Sequence, residues 1–281
     1  MKKTFHVLFF LIMCASLHSQ TIRVLYNYQF KSDSLHRENR SSETMALDIN
    51  PETGSTFYSY KKYQQDSISK SENKLKSDDN AGDNKAKVKF FVTKKYPEYI
   101  SVLYTHIGST AVNLSSNRKF EWDIRSDKDT LEGYPVQKAI LSFQGRQWTA
   151  WFTPEIQIQD GPYRFSGLPG LILKIGDNGD HVFTLIGIKK IKAEKINPLN
   201  FTKKKSIEVN EQQFSKLWNN YKKDPAKDYR LKYSGSQGGL NGNLNVGGQI
   251  ISKREVVKKY EEQVKEKIKS ENNFIELEMY K

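Results

Sequence analysis

The sequence predicts a mainly β protein of the α+β class: an antiparallel curved sheet or partly open barrel, followed by a helical, basic C-terminal region. Short runs of alternating apolar and polar residues recur along residues 21–192, with Gly- and Asn-containing turns between them. These runs do not alternate with helical patterns, which favours meandering antiparallel pairing. After residue 192 the apolar residues follow helical spacing. About 260 residues remain once a predicted export signal is set aside, enough to bury a sizeable core.

The first predicted strand covers residues 21–30, where Ile22, Val24 and Tyr26 alternate with polar residues. Similar runs predict four more strands, at 44–50, 56–60, 88–93 and 99–107. Residues 61–87 are rich in Lys, Ser, Asp and Asn, so we expect an exposed and partly helical excursion there.

Strand signals are densest between residues 119 and 191. Five strands are predicted, at 120–124, 135–143, 147–152, 171–175 and 181–191. Asn178-Gly179 is the strongest hairpin signal, because both residues tolerate the positive φ of a type I′ turn. In the strand 147–152 we expect Trp148 and Trp151 to face opposite sides, so that one tryptophan enters the core and the other lies nearer the surface.

The C-terminal third changes from strand to helix periodicity. Residues 210–221 carry apolar side chains at helical spacing, with Asn210 as a cap and Gln213 completing a capping box. Ser252 and Glu255 predict a second capping box, which opens a helix whose narrow apolar stripe is expected to lie on the sheet. Residues 230–250 hold six glycines and predict a mobile loop, in preference to an ordered ligand clamp.

Residues 1–20 have the layout of a secretory signal: two lysines, a short apolar run, then small and polar residues. Cys14, the one cysteine, lies inside it, so the mature chain is expected to lack disulfides and Cys-based metal sites. Met13 precedes Cys14 where a lipoprotein signal has a small residue, which favours loss of Cys14 over lipidation. The predicted units are therefore the signal, a β domain (21–192) and a basic α-rich region (193–281) packed on it.

The formal net charge is +13, and +11 without the two lysines of the signal. Most of this excess falls after residue 188. Such charge suits an anionic membrane surface or an acidic partner, although a solvated face that aids solubility is the simpler interpretation. An exported protein is not expected to meet nucleic acid, and no mature stretch is apolar enough to predict a transmembrane helix.

The most distinctive segment is 160–172, where Gly161-Pro162 and Pro169-Gly170 flank a short aromatic run. Pro169 and Gly170 suit a type II turn that leads into the next strand. The string at 167–172 and its surroundings closely resemble the GLPGLI family, exported proteins of Bacteroidota. The resemblance extends to Trp122-Asp123-Ile124, Gly133-Tyr134, Lys138-Ala139, Phe143 to Arg146, Trp148 to Phe152, Pro154 to Ile156 and Asn272 to Leu277. One departure is Val136, where a cysteine is expected in many members.

The family resemblance implies the fold and an exported compartment: the periplasm, the outer membrane or the exterior. It implies no activity. An envelope protein, such as an outer-membrane transport component, is the partner that it suggests. The strand-rich centre also resembles periplasmic lipoprotein-carrier-like half-barrels, which would make the protein a carrier of a lipid or another apolar ligand.

Neither catalytic nor metal-binding motifs are found. The histidines of the mature chain lack zinc-ligand spacing, and the Gly-x-Ser-x-Gly pattern is missing. Glu155, Asp160 and His181 could form a hydrolase site if the hairpin folds back, a hypothesis ranked last. We therefore expect no catalytic residue, no cofactor and no metal.

Binding is better supported than catalysis. Aromatic rings and two guanidinium groups near the 167–172 turn could form a patch that stacks on a sugar or peptide or binds an anion, although core packing explains many of the rings. The candidate ligand- or partner-binding residues are Arg146, Trp151, Tyr163, Arg164, Phe165, Gly167, Leu168, Pro169 and Gly170.

Overall fold

The computed structural model describes residues 20–71, 86–192, 206–236 and 238–281. It confirms the predicted fold class, since most of the described chain forms one large curved antiparallel sheet that does not close into a barrel. The predicted signal, apart from Gln20, lies outside the described residues, as do the basic residues of 193–205.

Twelve strands form this sheet. Their bounds are β1 (Thr21–Phe30), β2 (Ser41–Asn50), β3 (Gly54–Ser59), β4 (Phe91–Lys95), β5 (Ile100–Ile107), β6 (Thr110–Ser116), β7 (Asp123–Leu131), β8 (Tyr134–Phe143), β9 (Arg146–Thr153), β10 (Leu171–Asp177), β11 (His181–Ile191) and β12 (Ile207–Val209). The spatial order is β12-β6-β5-β4-β3-β2-β1-β11-β10-β9-β8-β7. All neighbours are antiparallel except β12 and β6, which are parallel. The first strand therefore lies in the middle of the sheet, paired with β2 and β11.

The alternation predicted for the first strand is confirmed. Val24, Tyr26 and Tyr28 are buried in the main hydrophobic core, whereas Arg23 and Leu25 face the opposite side. We call the side with the main core the inner face and the other side the outer face. Trp148 lies on the inner face and is fully buried, and Trp151 lies on the outer face and is half-buried, as expected from the strand period of two.

Two strand predictions differ from the structure. The strand predicted at 120–124 begins only at Asp123, because the rings of Phe120 and Trp122 pack against Phe165. The sequence analysis also missed β6, which follows β5 after a turn at Gly108 and buries Val112 and Leu114.

The Asn178-Gly179 hairpin is confirmed, but its turn type was wrong. Asp177 pairs directly with His181, so the loop has three residues, and only Gly179 has a positive φ. The Asp177 carboxylate accepts a hydrogen bond from the His181 backbone N–H at 2.6 Å, which favours this longer loop. Two-residue loops with two positive φ values occur instead at Glu132-Gly133 and Gln144-Gly145.

In the part of the chain that the structure describes, four α-helices accompany the sheet: α1 (Tyr60–Ser71), α2 (Glu211–Lys223), α3 (Lys227–Ser234) and α4 (Lys253–Ser270). The predicted excursion begins with α1, which packs on β2 and β3; its continuation at 72–85 lies outside the described residues. The capping box of α2 is confirmed, since Asn210 and Gln213 exchange side-chain to backbone hydrogen bonds of 2.9 Å.

The prediction for α4 was only partly right. The helix does begin after Ser252, but the Ser252 side chain makes no capping hydrogen bond. Its most extensive contacts are with α3, a 3₁₀ turn and the second strand of a small hairpin, not with the large sheet. Of its apolar stripe, Val257 is buried, and Ile268 reaches the main core. The helix therefore belongs mainly to a small C-terminal cluster.

The glycine-rich segment 230–250 is not the loop that its composition predicted. It contains the end of α3, a 3₁₀ turn and a hairpin of β13 (Asn243–Val246) and β14 (Gln249–Ser252). Gly247 and Gly248 have φ of 60° and 87° and form the two-residue turn of that hairpin. These glycines therefore provide the backbone conformations of specific turns, although their number alone had predicted a mobile loop.

Candidate functional site

The segment between β9 and β10, residues 154–170, lies on the inner face with no regular strand or helix of its own. It starts and ends beside neighbouring strands, and Leu171 donates its backbone N–H to the Ile156 carbonyl at 3.1 Å. We call residues 154–170 the inner segment.

The predicted type II turn at Pro169-Gly170 is not what forms. The Gly170 backbone N–H donates to the Leu168 carbonyl at 2.8 Å, which makes a three-residue turn around Pro169. Gly170 has φ of 149°, and a Cβ there would lie 2.0 Å from the Thr153 carbonyl oxygen. Glycine is required because the backbone of β9 passes so close.

A buried ion pair attaches the inner segment to the sheet. Lys94 of β4 pairs with Asp160, and both side chains have no solvent exposure. The Lys94 ammonium also donates to the carbonyls of Gly161 at 2.6 Å and Phe165 at 3.3 Å. One lysine thus contacts both ends of the aromatic run, and its three N–H donors all have partners.

The Asp160 carboxylate is equally well supplied with partners. Its oxygens accept hydrogen bonds from the hydroxyls of Ser55, at 2.6 Å, and Tyr96. The Gly161 backbone N–H donates to the same carboxylate at 2.6 Å. Because all these groups are paired within the protein, they are suited to fixing the inner segment in one position.

Burial lowers the pKa of Lys94, and the attraction of Asp160 opposes this without cancelling it. A lysine with a lowered pKa is a common catalytic base or nucleophile. Lys94, however, is closed off from solvent, with every donor in use. This geometry supports a structural role.

A second buried pair attaches the same segment to the C-terminal end of the chain. Arg164 donates to both carboxylate oxygens of Glu276, at 2.8 and 3.1 Å, and to the Ser101 hydroxyl at 3.1 Å. Burial alone would lower the pKa of Arg164, but the attraction of Glu276 outweighs it and raises that pKa. The Tyr163 hydroxyl donates to Glu276 at 2.6 Å.

Arg146 forms a third buried group at the end of the sheet. Its guanidinium pairs with Asp177 and donates to the Phe274 carbonyl at 2.6 and 2.9 Å. Nearby, the Tyr28 hydroxyl and the His181 Nδ1 are 2.8 Å apart. Burial, and then repulsion by Arg146, lowers the pKa of His181 to about 3, so the ring is neutral at physiological pH.

The structure separates the candidate binding residues into three groups. Those that are buried are Tyr163, Arg164, Phe165, Leu168 and Gly170, together with the side chain of Arg146. Gly167 and Pro169 are exposed, and Trp151 lies half-buried on the outer face. The expected surface patch with two guanidinium groups does not form, because both guanidiniums are paired inside the protein. Binding by these residues stays a prediction.

The carboxylates and histidine considered for hydrolysis do not come together. Asp160 is held by Lys94, His181 contacts Tyr28, and Glu155 is exposed. Within the described residues no cluster of three or more metal-ligating side chains is found either. The geometry gives no support to the hydrolase hypothesis.

Five uncharged residues lie partly at the surface close to the Asp160 pair. The rings of Tyr96 and Tyr99 are tilted against each other with centroids 4.5 Å apart, and the Gln159 backbone lies near the Tyr99 hydroxyl. The Gly167 N–H donates to the Gln159 carbonyl at 3.0 Å. The indole N–H of Trp122 donates to the adjacent Ser166 carbonyl at 2.9 Å. We call Tyr96, Tyr99, Gln159, Gly167 and Trp122 the aromatic row.

The five members of the aromatic row are uncharged and partly exposed, with exposed Lys95, Glu98, Glu121 and Asp123 beside its rings in the sequence. Gln159 and Gly167 are exposed, and the three rings are half-buried. The exposed residues of the inner segment include a single charged one, Glu155, in a chain in which 27% of residues are charged. Aromatic rings combined with few charges characterise the centres of protein interfaces.

Two residues near this surface hold a left-handed backbone. Tyr99 and Tyr163 both have φ of 55°, a conformation that costs a non-glycine residue about 1–2 kcal/mol. The contacts around them must stabilise this geometry, which fits a surface that is shaped before any partner arrives.

Four residues of the site were not predicted from the sequence: Lys94, Tyr96, Tyr99 and Gln159. In the sequence, Lys94 is one of several lysines in a polar stretch. It comes to lie under the inner segment only because β4 pairs with β3. A lysine preceded by strongly apolar strand residues was the one available signal.

Comparison with known proteins gives a family of unknown function and a limited structural likeness. Residues 55–174 match a family described as a protein of unknown function, Porph_ging. Two crystal structures of PNGF-II, in space groups P21 and C2, are 18% and 19% identical, with a TM-score of 0.48 and coverage of 70% of this chain. The chain spans 33% and 32% of those two chains.

A LolA superfamily protein from Nitrosomonas europaea is also similar, with 9% identity and a TM-score of 0.26. That match covers 66% of this chain and 91% of the other. No curated protein matches the chain. Among the described residues, no helix combines the length and apolar character needed to cross a bilayer.

Proposed function

We propose that this protein is a non-catalytic binding or accessory protein of the cell envelope, and that it binds a protein partner through the aromatic row. The observation that carries the proposal is the arrangement of the inner segment. Two of its charged residues, Asp160 and Arg164, are buried and paired, while uncharged rings, an amide side chain and backbone remain at the surface. A preformed surface of this kind binds with little loss of conformational freedom.

The envelope part of the proposal rests on the sequence. Residues 1–20 have the layout of an export signal, and the 167–172 string resembles the exported GLPGLI family. An envelope protein, such as an outer-membrane transport component, is the partner class that this resemblance suggests. Fractionation of native cells tests this part separately, since recovery in the cytoplasm would contradict it.

Site-specific photo-cross-linking tests the binding surface. Gln159→p-benzoylphenylalanine places the cross-linker in the middle of the aromatic row, and Gln249→p-benzoylphenylalanine places it on the exposed β14 as a matched control. The proposal predicts one discrete adduct in intact cells from position 159, none from position 249, and a weaker adduct when Tyr99→Ser is added. Equal adducts from both positions, or none from position 159, would contradict it.

The alternative is a carrier of a lipid or another apolar ligand. It requires an internal apolar cavity, whereas the inner face is occupied by fully buried side chains such as Phe165, Leu168 and Trp148. Two surface pockets, of about 360 and 430 Å³, are lined largely by charged and polar residues. Native mass spectrometry with lipid extraction separates the two functions, because a carrier would retain a stoichiometric apolar adduct.

A further inference from the structure

The outer face of β8–β11 carries a line of side chains that strand register places side by side. In the strand register, Asn27 lies opposite Thr184, and Thr184 lies opposite Lys174. Lys174 in turn lies opposite Trp151, which lies opposite Lys138 on its other side. Five neighbouring strands thus contribute one residue each. We call Asn27, Thr184, Lys174, Trp151 and Lys138 the platform.

The alternation of each strand places all five side chains on the outer face. Their sequence neighbours Tyr26, Phe183, Ile175, Ala150 and Ala139 are fully or almost fully buried in the main core. Directly opposite side chains in a sheet are about 5 Å apart, so the platform is about 20 Å long. This spacing is comparable to the repeat of sugar rings in an extended chain.

The platform is open to solvent. Lys174 is exposed, and the other four members are half-exposed. The described elements with extensive contacts to β8–β11 are neighbouring strands. Beside the platform, Gly176 lies between Val182 and Thr149 in the register and presents no side chain. The strand position diagonal to Trp151 therefore carries no side chain.

The polar groups of the platform are available to a ligand. Lys174 forms no ion pair, and the Trp151 indole N–H donates to no acceptor, among the residues that the structure describes. Lys138 pairs with Asp127 at 3.6 Å, but both side chains remain partly exposed. The register thus places one indole ring between two cations, with a hydroxyl and an amide further along.

We propose that the platform binds an acidic polysaccharide whose sugar rings carry carboxylates. One pyranose ring would stack on Trp151, its carboxylate and that of an adjacent ring would pair with Lys174 and Lys138, and ring hydroxyls would bind Thr184 and Asn27. Charge complementarity selects this occupant, because both charged members of the platform are cations: Lys174 has no ion-pair partner among the described residues, and Lys138 has only the partly exposed Asp127 at 3.6 Å. The site lies on the opposite face of the sheet from the aromatic row.

Affinity electrophoresis and calorimetry with sodium polygalacturonate test the proposal on the full mature chain. The wild-type protein should bind polygalacturonate, bind less as salt rises, and show no retardation by neutral dextran. Trp151→Ala with Lys174→Gln should weaken binding about tenfold or more. Lys232→Gln with Tyr233→Ala on α3 removes the same charge and an aromatic ring elsewhere, and it should leave binding within about twofold.

Three results would overturn the proposal: no binding of polygalacturonate, equal binding of dextran, or equal weakening by the two double variants. Binding to anionic phosphatidylglycerol vesicles but not to polygalacturonate would also overturn it and indicate a membrane surface instead. The single variant Lys174→Gln keeps the proposal testable if the double variant misfolds, because Lys174 is exposed and its replacement should not disturb folding. It should give a smaller loss of binding with an unchanged melting temperature.

Discussion

Lys94 lies on the inner face of the sheet and Lys174 on its outer face, and their surroundings differ in every respect. Lys94 has no solvent exposure and contacts a carboxylate and two carbonyl oxygens. The Lys174 side chain is exposed and forms no ion pair with a described residue. The comparison separates two uses of charge: on the inner face it fixes a segment of chain, and on the outer face it remains available to a ligand.

The largest expected effect comes from breaking the inner pair. Lys94→Met leaves the Asp160 carboxylate buried without its cation, so we expect a loss of about 3–5 kcal/mol of unfolding free energy. Adding Asp160→Asn removes the unpaired charge and should recover part of that loss. Lys174→Met should change stability by about 0.5 kcal/mol or less. Urea unfolding of the four proteins would contradict the comparison if the two lysine variants lost equal stability.

Two glycines of the inner segment should differ in how much their replacement by alanine lowers stability. A Cβ at Gly170 would meet the Thr153 carbonyl oxygen, whereas the nearest atom to a Cβ at Gly167 is 4.0 Å away. We expect Gly170→Ala to cost about 3 kcal/mol, because β9 or the segment must move. Gly167→Ala carries only the cost of its φ of 92°, about 1 kcal/mol. Thermal melts that reverse this order would show that the segment is loosely held.

His181 makes the inner face sensitive to acid. Its ring is neutral in the folded protein, with a pKa of about 3, and the unfolded chain takes up the proton near pH 6.5. The unfolded state therefore binds more protons between these values, so stability should fall as pH falls from 6.5 towards 3. This single group would contribute a loss of about 2 kcal/mol at pH 5.

The check is a comparison of slopes. His181→Gln removes the titrating ring, so its unfolding free energy should change less between pH 7 and pH 5 than that of the wild-type protein. The exposed His36 provides the control, because its hydrogen bond with Asp33 raises its pKa, so His36→Gln should not flatten the wild-type slope. An unchanged slope in the His181 variant would contradict the assigned burial.

Sequence reasoning predicted the elements whose signals are local. The alternation of β1, the two faces of β9 and the capping box of α2 each depend on a few consecutive residues, and the structure has them as predicted. The contacts of the candidate site were harder to predict, because the residues that contact each other there are distant in sequence. Arg164 meets Glu276 across 112 residues, and Lys94 meets Asp160 across 66.

The same limit explains why the predicted patch did not form. Arg146 and Arg164 are conspicuous as cations among aromatic residues, and composition cannot distinguish an exposed guanidinium from one that is paired in the interior. The glycine-rich segment shows the converse error. The number of glycines predicted a mobile loop, but Gly247 and Gly248 have the positive φ values that a specific hairpin turn requires.

Hydrogen exchange of the inner segment tests most directly the central claim that buried pairs preform the aromatic row. In the wild-type protein we predict that the amide of Gly167, and those of Leu171 and Ile172 at the start of β10, exchange as slowly as those of the central strand β1. Each of them donates a hydrogen bond to a backbone carbonyl of the inner segment. In Lys94→Met these amides should exchange faster while β1 stays protected. Exchange at the rate of an exposed loop in the wild-type protein would contradict the account.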